Sequence, residues 1–309
     1  MKQVENVEIT CLVDNNVDLL LPSTEVARRP TMAENWYAKP LIGEHGFCAL
    51  LTTTEANGSK HMLMLDSGLD PFASSYNAEV LALDLSRCES VISSHGHVDH
   101  TGGLVSVSRK LAKKIPIAFH PEAFRNRMVK FPDGRTINLP APSKSQLADS
   151  GYEIVEAKSR SLWMNDTTLV TGEIPRINDF ESGFPNHFSD VDGKLEADPL
   201  IMDDQAVVVS VKDKGLVILT GCGHAGIINT VEYAKEIGGE DKVHAVVGGL
   251  HLSGRLFESR IGRTSDELER LKPRYVVPCH CSGFNATIEI AKKMPDGFIQ
   301  NSVGTTYVF

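Results

Sequence analysis

The sequence predicts an α/β fold in which two mixed β-sheets pack face to face with helices on their outer surfaces. Three observations carry that expectation. The chain shows one rhythm twice, a pair of alternating strand-like runs followed by strand–helix units. Its polar, histidine-bearing phrases fall just past the ends of those runs, which gathers them along one edge of the sheets. Its 309 residues, 41% hydrophobic and 23% charged, suit one large α/β domain. We take residues 1–309 as that domain, with halves at about 1–170 and 171–309.

In the first half, Phe47 to Thr53 and His61 to Leu65 alternate like paired strands and end at Asp66-Ser67-Gly68. A helix-like stretch from Tyr76 to Leu83 precedes a short buried strand, Glu89 to Ser93, and Gly102-Gly103 then lets the chain turn into a helix from Leu104. In the second half, Gln205 to Lys212 and Leu216 to Thr220 flank a tight turn at Lys212–Gly215, a hairpin that ends at Cys222-Gly223-His224. A helix from Ile227 to Ile237 leads to the strand Val243 to Val247 and to His251. Thr264-Ser265-Asp266-Glu267 has the form of a capping box and is expected to open the next helix, ahead of a strand from Arg274 to Pro278 and of His280. Gly297 to Phe309 is expected to close a sheet. Pro22 to Gly46, Phe131 to Ser145 and Gly172 to Leu200 carry prolines without periodicity, and long loops of that kind often serve as lids.

Composition excludes several classes. A net charge of −9 leaves no basic footprint for nucleic acid. The densest basic cluster, Lys110, Lys113 and Lys114, has helical spacing and is expected to be a solvated face. No apolar run approaches the roughly 20 residues of a membrane helix. Met1-Lys2-Gln3 is followed by Glu5, Glu8, Asp14 and Asp18 rather than an apolar core, so we expect a cytoplasmic protein. Its six cysteines (11, 48, 88, 222, 279 and 281) are then expected to be reduced. Cys11, Cys48 and Cys88 lie in apolar segments as small packed residues. Cys279 and Cys281 flank His280, and strand alternation would turn both away from it. A zinc finger is disfavoured, because paired Cys-x-x-Cys spacings are absent.

The chemistry concentrates in Ser94-His95-Gly96-His97-Val98-Asp99-His100-Thr101-Gly102-Gly103. Three imidazoles and a carboxylate fall within six positions of a chain that holds only 11 histidines. In an extended segment His95 and His97 point the same way and can share one ion. Past the strand end, Asp99 and His100 can turn towards a second ion beside it. Neutral imidazole and carboxylate suit zinc, manganese or iron alike.

This pattern resembles the His-x-His-x-Asp-His signature of the metallo-β-lactamase-fold metallohydrolase superfamily. Further phrases are similar to its dihydropterin-ribofuranosylaminobenzene-phosphate synthase-like branch. They are Leu12-Val13-Asp14-Asn15-Asn16, Thr171-Gly172-Glu173-Ile174-Pro175-Arg176, Thr220-Gly221-Cys222-Gly223-His224-Ala225-Gly226, Gly248-Gly249-Leu250-His251-Leu252 and Pro278-Cys279-His280-Cys281-Ser282-Gly283. The resemblance implies a four-layer αββα sandwich and one or two divalent ions, zinc first. It implies that Asp66 supports the histidine loop without binding metal. His95 and His97 would hold one ion, Asp99 and His100 the other, and His280 matches the late ligand of the superfamily. Asp99 would also orient the nucleophilic water and take up its proton.

The sequence also departs from that pattern. The second hairpin is preceded by Met202-Asp203-Asp204-Gln205, without the usual histidine, and Cys222 stands where a bridging aspartate is usual. His224, two residues on, is carried over as a ligand. Cys222 is either a thiolate ligand or a small packed residue. His251, after Gly248-Gly249, is either a further ligand or a proton donor to the leaving group. His45, His61, His120, His187 and His244 lack such settings. Arg176, and after it Arg125, Arg127 and Lys130, are the cations nearest the lid segments, and arginine suits phosphate or carboxylate.

The expectation is a metallohydrolase that uses metal-activated hydroxide on a small anionic substrate, phosphate-bearing and pterin-like on the strength of the resemblance, with no nucleic-acid or membrane partner. Two alternatives are a mononuclear iron dioxygenase on the same scaffold and a non-catalytic metal- or ligand-binding protein.

Overall fold

The computed structural model describes residues 1–31, 36–111 and 114–309. Its central strands are apolar on both faces, as strands covered on both sides must be. In Ala206–Val211 and Gly215–Thr220 every residue is buried. Alternation then divides the side chains between two cores. Val207, Val209, Val217 and Leu219 meet Leu51, Leu63, Leu65 and Ile92 of the other sheet. Val208, Leu216 and Ile218 face outward onto Val231, Leu268 and Ile290 of the helices Ile227–Gly238, Glu258–Leu271 and Phe284–Lys293. On the far side, Leu50, Met64 and Val91 pack against Ala78, Leu104 and Leu147, which lie on the short helices Ala73–Val80, Leu104–Ser108 and Lys144–Asp149. The result is the expected helix–sheet–sheet–helix layering.

The first sheet has eight strands in the order Tyr152–Glu156, Ile115–Phe119, Ser90–Ile92, Lys60–Leu65, Cys48–Thr54, Asn6–Val13, Thr306–Val308 and Ala27–Arg28. The second runs Ser161–Trp163, Thr168–Val170, Ala206–Val211, Gly215–Thr220, Val243–Gly249 and Tyr275–Cys279, with Gln3–Val4 added beside Ala206–Val211. In each, an antiparallel hairpin leads into parallel strands, Lys60–Leu65 with Ser90–Ile92 and Gly215–Thr220 with Val243–Gly249 and Tyr275–Cys279. Parallel strands end together, so the segments after Leu65, Ile92, Thr220, Gly249 and Cys279 collect on one edge.

Several expectations are corrected. The sheets do not follow the sequence halves: Ser161–Trp163 and Thr168–Val170 belong to the second sheet, and the C-terminal Thr306–Val308 belongs to the first. Two proline-bearing segments expected as loops contribute three strands to a third, antiparallel sheet in the order Lys194–Ala197, His187–Val191, Arg127–Lys130 and Thr136–Leu139, of which Arg127–Lys130 precedes the first segment. Their strands are short and largely polar, which hid them. The capping box does not open a helix. The helix starts at Glu258, about two turns earlier, because its buried stripe of Ile261, Thr264, Ser265 and Leu268 already includes Thr264. The closing strand shrinks to Thr306–Val308. In the basic cluster, Lys110 follows the helix Leu104–Ser108 and pairs with Glu79 at 3.6 Å, while Lys113 lies outside the described residues. Among the described residues no helix is long and apolar enough to cross a membrane.

The third sheet is fastened to the sandwich by a buried cation. Arg127 Nε donates to Asp198 Oδ2 at 3.1 Å and its Nη2 donates to Asp203 Oδ1 at 2.6 Å, with all three side chains almost fully buried. Arg127→Leu strands two buried carboxylates, so we expect a loss of about 3–5 kcal/mol in denaturant unfolding. A loss below ~1 kcal/mol, the worth of an exposed pair, would show that the clamp does not hold.

Candidate metal centre

The site is built from the ends of the parallel strands. Asp66, just after Lys60–Leu65, adopts a left-handed φ of 59° and is fully buried. Its Oδ1 accepts the Ser94 N–H, and its Oδ2 accepts both Ser94 Oγ–H and His100 Nδ1–H, each at 2.7 Å. Because Ser94 Oγ donates to Asp66, it accepts from His95 Nδ1 at 2.9 Å. Both histidines therefore carry a proton on Nδ1 and leave Nε2 without a hydrogen-bond partner among the described residues. The chain stays extended to His97, then a one-turn helix, Val98–Thr101, projects Asp99 and His100. Gly221 is required opposite: a β-carbon there would collide with Ser94 Oγ and Asp66 Oδ2.

Two groups of donors result. His95, His97 and His224 place their ring nitrogens within 4.8 Å of one another. Beside them, Asp99 Oδ2 lies 3.7 Å from His100 Nε2 and 3.3 Å from His280 Nε2. Cys222 sits between, within the same reach of His95 and His100, of His224 and His251, and of His280 and Cys281. His95 Nε2, His100 Nε2, His251 Nε2, His280 Nδ1 and both nitrogens of His224 are buried without a hydrogen-bond partner among the described residues. Each such nitrogen costs about 1–3 kcal/mol if left unmet. A bound cation would take one nitrogen from each ring it reaches, so the residues fit a metal.

Electrostatics agree with that fit. Burial, then the neighbouring imidazoles, push His95, His97 and His224 well below the usual histidine range, which keeps them neutral and able to ligate. Burial opposes charge on His100 too, but Asp99 and Asp66 outweigh it and raise it to about 9, so without a cation His100 would hold a second proton, on Nε2, that a bound metal must displace. Burial likewise disfavours the Asp99 carboxylate, yet His100 and His280 hold it well below its ordinary range. Asp99 is partly exposed at the mouth, whereas Asp66, Asp203 and Asp204 are buried.

Three neighbours were missed in the sequence. His187, from the third sheet, receives no histidine-motif signal, yet its Nε2 lies 2.9 Å from His97 Nε2 while its Nδ1 donates to the Asp198 carbonyl at 2.8 Å. It can thus accept the His97 Nε2 proton and leave His97 Nδ1 free. His45 Nε2 approaches Asp99 at 3.9 Å and groups with His280. Cys281 is not turned away: its Sγ is 3.0 Å from Cys222 Sγ. His61 between Glu55 and Glu89, His120 on Glu173, and His244 beside Tyr275 and Phe309 lie in other settings. Arg176 is corrected in the other direction. Its guanidinium donates to the carbonyls of Ile174 and Leu200, so it ties two loops together instead of facing an open site. Arg125 pairs with Glu122, Arg127 is buried, and Lys130 lies over Phe188. Arg260 instead lines a small pocket with His224, His251, Glu181 and Thr264.

The outlying phrases acquire physical roles. Asp14 Oδ1 accepts the His280 N–H at 2.6 Å and Asn15 Nδ2 donates to the His280 carbonyl at 3.0 Å, so the N-terminal strand holds the strained His280 turn (φ 47°). Glu181 accepts the N–H groups of Ile228 and Asn229 at 2.9 and 2.8 Å, pinning the loop over the helix that follows His224.

This chain has the metallo-β-lactamase fold. It matches the structure of a metal-dependent hydrolase of the β-lactamase superfamily with a TM-score of 0.73, over 97% of this chain and 98% of that one at 23% identity. It also matches the metallo-β-lactamase fold protein YhfI from Bacillus subtilis with a TM-score of 0.51, over 99% and 100% of the two chains at 10% identity. In sequence it is similar to the 7,8-dihydropterin-6-methyl-4-(β-D-ribofuranosyl)-aminobenzene-5'-phosphate synthase of Methanocaldococcus jannaschii, 28% identical over 90% of this chain and 95% of that protein. No protein-family model matches it.

Asp204 offers a test of the buried electrostatics. Its Oδ2 accepts the Ala225 N–H at 2.8 Å, its Oδ1 has no partner among the described residues, and burial, only partly countered by that bond, raises the carboxyl from 3.8 to about 6. A raised carboxyl favours folding in its protonated form, so that stability is present below about pH 4 and lost as pH rises through about 6. Asp204→Asn should therefore gain about 3 kcal/mol over wild type between about pH 4 and about pH 7, in urea unfolding with a chelator present. A difference that stays flat across that interval would refute the assignment.

Proposed function

We propose that this chain is a metal-dependent enzyme that hydrolyses a small, anionic, phosphate-bearing substrate. The carrying observation is the set of buried imidazole nitrogens without protein partners, gathered beside a partly exposed carboxylate at the mouth of the site. His95, His97 and His224 would hold one divalent ion, and Asp99, His100 and His280 a second, with Cys222 between them. Zinc is the first choice, with manganese or iron as alternatives. Such an ion supplies Lewis acidity and brings the ionisation of water from 15.7 to about 7.

The chain's own residues supply the rest. Asp99 is held ionised and acceptor-only, which lets its free oxygen orient a water molecule and receive its proton. Asp66, through Ser94 and His100, fixes which ring nitrogens face inward. His251 stands at the opposite wall, Nδ1 3.2 Å from Cys222 Sγ, with Nε2 available to protonate a leaving group. Arg260, in the pocket beside His224 and His251, replaces Arg176 as the candidate anion anchor: its Nη2 donates to Ser182 Oγ and the Gly183 carbonyl, and its Nε and Nη1 make no hydrogen bond among the described residues. The phosphate in the substrate is supported by the name of the Methanocaldococcus relative, which carries a 5'-phosphate. The six buried free thiols and the net charge of −9 favour a reducing, cytoplasmic setting and a small-molecule partner over nucleic acid or membrane.

A second reading follows from that relative's being a synthase: the same residues would activate one substrate to displace a group from another. Product analysis separates the two, because hydrolysis incorporates oxygen from labelled water and bond formation between two substrates does not.

With generic phosphodiester, phosphomonoester, thioester and lactone substrates, chelation should abolish turnover and added divalent metal restore it. Asp99→Asn should lower kcat by about 10²–10⁴-fold. Full activity in protein shown by elemental analysis to be metal-free, or wild-type kcat in the variant, would overturn the reading. Arg260→Ala should raise KM about tenfold for phosphate-bearing substrates and leave uncharged esters unaffected. Equal effects on both classes would remove Arg260 as the anchor.

A further inference from the structure

We propose that Cys281 joins Cys222 and His280 in a sulfur-bearing ligand set, so that the second cation position selects a thiophilic transition ion over magnesium or manganese. This rests on the metal-centre reading above and adds a ligand that the histidine pattern does not contain.

Cys281 reaches the site because the strand alternation breaks before it. Tyr275–Cys279 ends with Cys279 Sγ directed at the Val277 carbonyl, 3.3 Å away. His280 then adopts a left-handed φ of 47° and His280–Ser282 closes a tight turn. That reversal places the His280 ring and the Cys281 sulfur on the same side. Cys222 arrives from the end of Gly215–Thr220, on the opposite wall. The two sulfurs are 3.0 Å apart, with Cys222 3% and Cys281 7% exposed. Space around Cys281 is closely matched, since a β-carbon on Gly249 would come within 2.9 Å of its sulfur.

Two packed thiols or a disulfide could account for the sulfur contact. Neither accounts for what surrounds it. Thiol hydrogens could serve the Cys222 carbonyl, 3.2 Å from Cys281 Sγ, and His251 Nδ1, 3.2 Å from Cys222 Sγ, but both nitrogens of the buried His280 ring stay without a hydrogen-bond partner among the described residues. A disulfide accepts almost nothing from those rings, and it would remove both sulfurs as donors. A cation shared by the two sulfurs and His280 would account for their close approach and would take one of the unpartnered His280 nitrogens. The donors of Cys222, His280 and Cys281 all lie within 4.8 Å of one another, close enough to serve one ion. Soft thiolates select zinc, ferrous or cobaltous ions, whereas magnesium and manganese favour oxygen donors.

The test is optical titration of the full-length, reduced, metal-free protein with cobaltous ion. Wild type should develop visible d–d bands together with a near-ultraviolet sulfur-to-cobalt charge-transfer band. Cys222→Ser and Cys281→Ser should each lose part of the ultraviolet band. The double variant should lose all of it while the visible bands persist on the histidines. Cys279→Ala should leave the ultraviolet band unchanged, and its loss there would move the sulfur ligand and overturn the proposal. Visible bands without any charge-transfer band in wild type would overturn it too, leaving the histidine centre intact; that spectrum decides the matter even where a variant fails to fold. Cobalt that does not bind at all would instead bring down the metal-centre reading. Recovery of Cys222 and Cys281 as a cross-link from protein prepared under reductant would also refute the ligand set.

Discussion

The arrangement of the site depends on one buried carboxylate. Asp66 is fully buried and accepts three hydrogen bonds, two from Ser94 and one from His100. Those bonds offset its desolvation, and they also settle proton positions that otherwise would be free. A proton on His100 Nδ1, and one on His95 Nδ1 relayed through Ser94 Oγ, aim two lone pairs at the same space. Gly221 completes this by giving the carboxylate room against the neighbouring sheet. The histidines alone would form a polar pocket; Asp66 makes them a directed one.

The surrounding framework is organised to keep that pocket from relaxing. Burial leaves His95, His97 and His224 neutral, and nitrogens of His95 and His224 have no partner among the described residues, so the cluster is a local cost in the absence of a ligand. Left-handed backbone at Asp66, His251 and His280 adds strain at the same place. These costs persist because the elements that impose them are anchored elsewhere: Asp14 and Asn15 hold His280 from the first sheet, and the core shared by both sheets lies directly beneath. Metal binding would return the cost as stability, coupling occupancy to folding.

What the sequence revealed and what it hid divide along a physical line. His95 and His97 share a face by simple alternation, and Asp99 and His100 follow within one turn, so local geometry brings them together and a pattern can show it. Paired apolar runs such as Ala206–Val211 and Gly215–Thr220 betrayed their burial through composition alone. His187 could not be found this way. It approaches His97 across 90 positions, from a strand, His187–Val191, whose polar residues look like loop. Cys281 was misjudged because alternation was carried past His280, where a left-handed residue ends it. The false capping box at Thr264 shows a related hazard. Serine, threonine and glutamate at the right spacing also occur inside a helix, and only the buried stripe shows where it begins. Arg176 had the right charge in the right region, but its partners are carbonyls that no pattern displays.

The third sheet adds a constraint that the proline-bearing segments had concealed. Asp203 accepts the Gly96 N–H at 2.8 Å through one oxygen and Arg127 Nη2 through the other, so the histidine loop and the third sheet share a single carboxylate. On the opposite side His187 touches His97, and Glu181 grips the helix after His224. A segment tied to the donors at three points cannot swing clear without disturbing them, so it behaves as a fixed wall rather than as the lid its length suggested. Access then falls to the side where cover is thinnest. That side is marked by Asp99, the exposed carboxylate of the cluster, and by His45, whose side chain is 68% exposed at 3.9 Å from it.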